Sequence, residues 1–339
     1  MTTQLQLFAE KLSALELRPL TAAEGLKSYN SQALFGALLS NELRVQVGEA
    51  IHRETDYVIA EYFKAVLLCR ENQLEAALTQ LRFADALQPA LPPNALDYAT
   101  LFRLSAWGNY YYKAREADRA IGMLQEGLYL SADLERRGFG AFIYRRIEQL
   151  QNIANIHFKQ GHDDEAHQLL RNVATLMHSG RSSGLLIDDW DADTLAQTPI
   201  LREGTLHAVL RQIAHQNMGS MDHSTYDNAF YHRFFYKDLL AQLETTTYNR
   251  VVLYNWLYVK NSYFEQSPAA FLDNVLEFLA DEAVAPNYNV LKANLLTQVI
   301  WHSRQQVPAA VHQPISSSIR DFARHHITDT EGRAIRLAA

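Results

Sequence analysis

Apolar residues recur every three or four positions along most of this chain of 339 residues, in long segments that short polar stretches separate. This spacing is typical of amphipathic α-helices that bury one face. The chain contains only 14 glycines and 9 prolines, which is few for a protein built from strands and tight turns. The pattern therefore predicts an all-α protein.

Two segments repeat the same arrangement of residues. Residues 107–113 (WGNYYYK) lead to Ala120, and residues 155–161 (NIHFKQG) lead to Ala166. Each segment has the pattern of a helix that ends in a tight turn and is followed by a second helix. Small residues, which let two helices approach closely, stand at equivalent places in both segments. Repetition of this kind predicts stacked helical hairpins, which usually present a binding surface.

On these residues the chain resembles the tetratricopeptide repeat family, in which small residues mark the crossing of paired helices. The positions that carry the resemblance are Ala65, Leu68, Asn72, Ala77, Leu81, Ala84 and Pro89 in a weak first pair, Trp107, Gly108, Tyr111, Ala120, Leu124 and Gly127 in the second, and Ile153, Ala154, Gly161, Ala166, Leu170 and Val173 in the third. The resemblance implies a TPR-like superhelix of α-α hairpins. Equivalent alanines are 43 residues apart (Ala77 to Ala120) and 46 apart (Ala120 to Ala166). The family period is about 34, so this chain would be a divergent member with long hairpins.

The pattern divides the chain into four segments. Residues 1–55 are predicted to form an N-terminal helical cap of three short helices over the first pair, and residues 56–178 three TPR-like hairpins. A Ser/Gly-rich and Asp-rich stretch at 179–201 is predicted to be a linker. Residues 202–339 are predicted to continue the superhelix as degenerate hairpins, with helices at 203–217, 224–244, 247–264, 268–283, 287–305 and 314–326.

Charge and cysteine content restrict the class of function. The net charge is −7, and no basic segment offers the phosphate contacts of a nucleic-acid binder, so no nucleic-acid partner is expected. The single cysteine, Cys69, excludes an internal disulfide framework and a Cys-rich zinc site. No secretory leader and no apolar stretch of membrane-spanning length is evident. We expect a cytoplasmic protein without a membrane partner.

The sequence contains no recognisable catalytic, metal or cofactor motif. Its histidines do not have the spacing of a zinc-binding helix, and phosphate-binding loops and nucleophile elbows are absent. Asp189, Asp191 and Asp193 have the spacing of the first calcium-loop ligands, but Thr194 and Ile200 stand where such a loop needs Gly and Glu. A loop that caps the next helix is the preferred interpretation. We therefore expect a non-catalytic protein without a metal or cofactor.

The family resemblance implies a binding surface on the first helix of each pair. Residues with i, i+3, i+4 spacing share one helix face, and the predicted peptide-binding residues are Asn109, Tyr112, Lys113, Asn155, Phe158 and Lys159. In the family, the Asn position commonly hydrogen-bonds the backbone of an extended peptide, and nearby basic residues hold its carboxylates. The first pair has Val66, Cys69 and Arg70 at these places, so the groove would begin at the second pair. The alternative is that these lysines are ordinary solvated surface residues.

Two arginine pairs flank a Gly-Phe-Gly turn between the second and third hairpins. Arg136, Arg137, Arg145 and Arg146 could together hold a carboxylate or phosphate group. Glu135 and Glu148 are close enough in sequence to form surface ion pairs with them instead. The sequence leaves both interpretations open.

The leading functional hypothesis is a protein- or peptide-binding scaffold or adaptor. The alternative is a regulatory sensor, similar to peptide-sensing regulators with tetratricopeptide-like domains, that binds a small ligand or signalling peptide in an aromatic-lined C-terminal pocket. The aromatic residues concerned are Tyr226, Phe230, Tyr231, Phe234, Phe235, Tyr236, Tyr248, Tyr254, Trp256, Tyr258, Tyr263 and Phe264. An aromatic core would explain them equally well. Neither the partner nor the oligomeric state follows from the sequence.

Overall fold

The computed structural model of the chain describes residues 2–15, 31–219, 248–282 and 284–328, together with residues 335 and 337. Within these ranges it contains 13 α-helices and no β-strand, so the predicted all-α class is confirmed. The helices are α1 (Thr2–Ser13), α2 (Ser31–Arg70), α3 (Leu74–Leu87), α4 (Pro93–Lys113), α5 (Ala117–Arg136), α6 (Phe142–Gln160), α7 (Asp163–Ser179), α8 (Ala192–Gln197), α9 (Pro199–Gly219), α10 (Tyr248–Glu265), α11 (Pro268–Ala280), α12 (Asn289–Gln306) and α13 (Ala309–His326).

The chain folds into two compact units. The repeat unit comprises residues 30–205, and the terminal unit combines residues 1–29 with residues 206–339. The division falls within α9. No helix of the described ranges is both long enough and apolar enough to cross a membrane.

Three helical hairpins, α2–α3, α4–α5 and α6–α7, form most of the repeat unit, over the span predicted for them. The three turns use a residue with positive φ: Asn72 (59°), Arg115 (64°) and Gly161 (79°). Asn and Gly adopt this left-handed conformation readily, which is why the first and third turns are recognisable in the sequence. Arg115 carries no such signal.

The predicted small residues do lie where the paired helices cross. Gly108 on α4 faces Ala120 and Leu124 on α5 at van der Waals distance. Ala154 and Ala166, the equivalent residues of the third hairpin, are both fully buried. The small side chains therefore let the helix backbones approach, as the repeated pattern indicates.

The hairpins do not stack in the same way at each step. Between the first and second hairpins, α4 packs mainly along α2, which is the first helix of its neighbour. Between the second and third, α5 packs along α6. A regular superhelix with one continuous inner face is therefore a prediction that these contacts leave open.

The N-terminal segment differs from the prediction in two respects. Helix α1 packs against α11 and α13 within the terminal unit, through Leu5, Phe8 and Leu12, whereas the sequence predicts it as part of a cap on the hairpins. Helix α2 runs from residue 31 to residue 70, so the predicted boundary at 55/56 lies inside a helix. It is kinked at Gly48, where φ is 79°, and no proline or glycine interrupts it afterwards.

In the terminal unit, five of the six predicted helices are present with shifted ends, as α9 to α13. The sixth, 224–244, lies outside the described residues. Helix α12 is buried on nearly all sides from Asn289 to Ser303, including its polar residues there, and ends in exposed residues at 304–306.

Candidate binding surface

Side-chain contacts link the first helices of all three hairpins. The rings of Phe63 on α2 and Phe102 on α4 meet edge to face, with centroids 5.8 Å apart and planes at 64°. The guanidinium carbon of Arg145 on α6 lies 5.1 Å from the centroid of Phe102. Cations over an aromatic face are attracted by its quadrupole. A strip of aromatic and cationic groups therefore runs across the three helices.

Two large apolar side chains of α2 point to solvent beside this strip. Phe63 is 52% exposed and Leu67 is 55% exposed, and they are one helical turn apart. Their neighbours Tyr62, Ala65 and Cys69 belong to the core. Adjacent exposed apolar side chains of this size are a common mark of an interaction site.

Asn109 lies on the same side of α4, two turns beyond Phe102. The residue is half-buried, and its Oδ1 is buried without a hydrogen bond from any residue that the structure describes. A buried amide oxygen without a donor is costly, and a backbone N–H of a bound chain would satisfy it. The peptide-binding role of Asn109 stays a prediction, and a bound chain would first have to uncover this buried oxygen.

Basic residues end both first helices. Arg70 is the last residue of α2 and Lys113 the last of α4, and neither has an ion pair among the described residues. Burial raises the pKa of the Cys69 thiol, and the nearby charge of Lys113 partly offsets this effect, so the two helix ends are close together. Cations at helix C-termini also interact favourably with the helix dipole.

We name these residues the first-helix surface: Phe63, Leu67 and Arg70 on α2, with Phe102, Asn109 and Lys113 on α4. The two helices pack along each other, and they run in the same direction, since Phe63 contacts Phe102 and the charge of Lys113 acts on the Cys69 thiol further along. Leu67 and Asn109 lie between these two levels. The surface therefore combines an apolar end, a buried amide oxygen without a described donor, and a cationic end. Tyr112, the other predicted residue of α4, is half-buried.

The core beneath this surface is held by one carboxylate. Asp85 on α3 accepts hydrogen bonds from the Tyr62 hydroxyl (2.8 Å), Arg103 Nε (3.1 Å) and Trp107 Nε1 (3.2 Å). Burial and the hydrogen bond to Asp85 raise the pKa of Tyr62, which keeps its proton. This network fixes α2, α3 and α4 relative to one another and so preorganises the surface.

The equivalent residues of the third hairpin are less available. Asn155 already interacts with another group of the protein. The ring of Phe158 meets His167 of α7 edge to face, with centroids 4.8 Å apart, so it contributes to its own hairpin. Lys159 is exposed. In the structure the candidate binding residues therefore come from the first and second hairpins, whereas the sequence predicts them on the second and third.

All four arginines of the predicted anion site have acidic partners in the chain. Arg136 pairs with Asp133 and Asp189, Arg137 with Asp97 and Asp133, Arg145 with Glu148, and Arg146 with Glu135. A bound anion would have to compete with these carboxylates. Anion capture stays a prediction, and the ion-pair interpretation accounts for the contacts present.

The buried side chain of Arg146 connects α6 to the linker through hydrogen bonds and a stacking contact. Its Nη1 lies 2.8 Å from the carboxylate of Glu135, its Nη2 donates to the carbonyl of Asp189, and its guanidinium stacks 3.8 Å from the ring centroid of Trp190. Burial raises the pKa of Glu135 to about 7, although the charge of Arg146 acts in the opposite direction. The linker is thus fastened to the third hairpin.

The acidic stretch of the linker caps a helix, as preferred in the sequence interpretation. Asp191 Oδ1 accepts hydrogen bonds from the backbone N–H groups of Asp193 (2.9 Å) and Thr194 (3.2 Å), at the start of α8. Across the described ranges, no group of three or more His, Cys, Asp or Glu residues is arranged to hold a metal ion.

The aromatic residues proposed to line a C-terminal pocket are only partly described. Residues 226–247 lie outside the described ranges. Trp256 is fully buried and Tyr263 meets Phe271 edge to face at 5.1 Å, whereas Tyr258 is 43% exposed. Of the four rings whose burial is described, Trp256 is in the core, and Tyr254 and Tyr263 are half-buried.

Sequence reasoning missed Phe63, Leu67 and Phe102. Residues 57–69 of α2 are apolar or aromatic except for Glu61 and Lys64, so periodicity gives little indication of which side is exposed. Only the i, i+4 spacing of Phe63 and Leu67 could have suggested a shared face.

Comparison with known proteins finds no matching family model, no matching curated protein and no matching solved structure. The geometry of the chain itself is therefore the basis for a functional proposal.

Proposed function

We propose that this chain is a non-catalytic scaffold that binds an extended segment of a partner protein on the first-helix surface. The observation that carries the proposal is the alignment of exposed Phe63 and Leu67 with Asn109, whose Oδ1 lacks a donor among the described residues. Apolar side chains of a bound segment would cover Phe63 and Leu67. Its backbone N–H would satisfy the Asn109 amide.

Charge indicates the composition of the bound segment. The protein carries a net charge of −7, yet Arg70 and Lys113, at the ends of neighbouring helices, have no carboxylate partner in the part of the chain that is described. Complementary charges set the register and orientation of a bound chain more than they set its affinity. The favoured partner therefore combines large apolar side chains with one or more carboxylates toward the end that meets Arg70 and Lys113.

The third hairpin would extend this surface. Lys159 is exposed near the end of α6, at the position equivalent to Lys113. Asn155 and Phe158 would contribute only if a longer partner displaced their contacts within the protein. An adaptor of this kind would act in the cytoplasm.

A peptide-library selection tests the proposal. Random dodecamers are enriched on the immobilised full-length chain, and each enriched peptide is then tested against a Phe63→Ala/Lys113→Glu double variant. We expect most enriched peptides to lose binding to the double variant and to pair aromatic or leucine side chains with acidic ones. If all enriched peptides bind the double variant equally well, the first-helix surface is not the binding site.

A further inference from the structure

Helix α12 of the terminal unit carries three buried polar side chains in one row. Asn294, Gln298 and His302 are spaced i, i+4, i+8, and they are 0%, 3% and 5% exposed. The row meets α9 at one end, where Asn294 Nδ2 donates to the carbonyl of Ala214 at 3.1 Å. It meets α10 at the other end, where the rings of His302 and Tyr263 lie edge to face at 5.5 Å.

Most of the hydrogen-bonding atoms in this row have no partner. Among the described residues, nothing bonds Asn294 Oδ1, either amide atom of Gln298, or either ring nitrogen of His302. Buried polar groups are paired in the great majority of cases, and each exception needs an explanation such as a bound molecule. The free-energy cost of leaving five such atoms unpaired would be comparable to the net stability of an ordinary domain.

Other buried polar side chains of α12 are satisfied within the protein. Asn289 Nδ2 donates to Thr328, Lys292 Nζ to Leu279 and Thr297 Oγ1 to Ala293, in each case to a backbone carbonyl. The helix therefore accommodates buried polar groups by pairing them. The row from Asn294 to His302 departs from that rule.

We propose that the row of Asn294, Gln298 and His302 is a binding site for a small uncharged molecule with an amide edge, that is, an N–H donor beside a C=O acceptor. A carboxamide with both atoms unpaired, as in Gln298, forms two parallel hydrogen bonds with such an edge. Asn294 Oδ1 and an imidazole nitrogen of His302 would bind further polar groups on either side.

The row offers hydrogen bonds and no charge, which is why an uncharged molecule fits. Burial lowers the pKa of His302, so its imidazole is neutral at physiological pH. Carboxamides and a neutral imidazole cannot offset the cost of burying an ion. The aromatic ring of Tyr263 at one end favours a planar molecule. This proposal is independent of the peptide-binding surface on the repeat unit.

Thermal melts of the full-length protein with simple probes test this site. Uracil and acetamide both carry an amide edge, and 1,3-dimethyluracil has the shape of uracil without its N–H donors. We expect millimolar uracil or acetamide to raise the melting temperature by about 2–4 °C, and dimethyluracil to leave it unchanged. The comparison of uracil with dimethyluracil needs no variant and so does not depend on the folding of one.

Gln298→Leu, which keeps the size of the side chain, should abolish the shift. Gln305→Leu, a change at an exposed residue of the same helix, should retain it. Native mass spectrometry of the purified chain should also show a bound small molecule that Gln298→Leu loses. The proposal is overturned if neither probe shifts the wild-type melt and no small molecule co-purifies, because the row would then hold only water.

Discussion

Gly108 on α4 faces the backbone carbonyl of Ala120 on α5, with 3.5 Å between that oxygen and the point where a Cβ would stand. A methyl group fits at that distance, but a longer side chain does not. The two small residues therefore set how closely the second hairpin closes, and they connect the repeated sequence pattern to the packing of the repeat unit.

Gly108→Leu should destabilise the protein by about 1–3 kcal/mol, because the side chain would overpack this crossing. Gly122 provides the control, since a Cβ there meets nothing within 4 Å. Gly122→Leu on α5 should be neutral or stabilising by up to about 1 kcal/mol, through helix propensity. Urea denaturation measures both. An equal effect of the two substitutions would contradict the close crossing.

Arg146→Met should destabilise the protein by about 3–5 kcal/mol, because it leaves the buried carboxylate of Glu135 without its partner and removes the contact with Trp190. Arg136 also pairs with Asp189, at 3.5 Å, but both side chains are mostly exposed. Arg136→Met should therefore cost about 0–1 kcal/mol. The free energies of unfolding of the two variants, measured at pH 8, test this difference between the buried Arg146–Glu135 pair and the exposed Arg136–Asp189 pair. Equal losses for both variants would contradict it.

The contribution of Glu42 to stability should fall as the pH rises from about 4.5 to about 7. Burial raises the pKa of Glu42 from 4.5 to about 7, although its carboxylate accepts a hydrogen bond from the backbone N–H of Ala141. A carboxyl whose pKa is higher in the folded state binds its proton more tightly there, so its contribution is complete at low pH and is lost through this window.

Glu42→Gln keeps an acceptor for Ala141 and removes the titration, so the stability of the wild type relative to this variant should fall between pH 5 and pH 8. Glu54→Gln, at an exposed residue of the same helix, should leave the profile unchanged. Denaturation midpoints across that pH range test both variants. Parallel profiles for Glu42→Gln and the wild type would show that Glu42 titrates normally.

Much of the fold follows from the sequence, and the reasons are local. The turns at Asn72 and Gly161 need residues that tolerate positive φ, and the crossings need small residues, so both leave a mark in the chain. The placement of α1 in the terminal unit leaves none, because Leu5, Phe8 and Leu12 could pack against any apolar face. Contacts between segments far apart in sequence are not encoded by periodicity.

The binding surface was predictable only in part. Asn109 and Lys113 follow from helical spacing and from the repeated pattern. Phe63 and Leu67 do not, because the packing of neighbouring helices decides which side of an apolar helix stays exposed. Phe158 is predicted to face a partner, but its ring contacts His167 of the adjacent helix. Helical spacing alone could not predict this contact.

Asn109→Ala should weaken binding of a library-selected peptide by about 2- to 12-fold, which corresponds to one hydrogen bond worth about 0.5–1.5 kcal/mol. The melting temperature should change little, because Asn109 Oδ1 bonds no described residue. Asn152→Ala, at an exposed residue of α6, is the matched control. An early melt of Asn109→Ala would assign the residue to packing instead.

The most direct test compares two exposed phenylalanines of the repeat unit by peptide titration. Phe63 lies on the first helix of its hairpin and Phe83 on the second, and they are 52% and 46% exposed. Calorimetry with the best selected peptide should show that Phe63→Ala weakens binding by about 30-fold or more, the effect of losing a central aromatic contact of about 2 kcal/mol, while Phe83→Ala leaves the affinity unchanged. Equal affinities for both variants and the wild type would contradict the proposed binding surface.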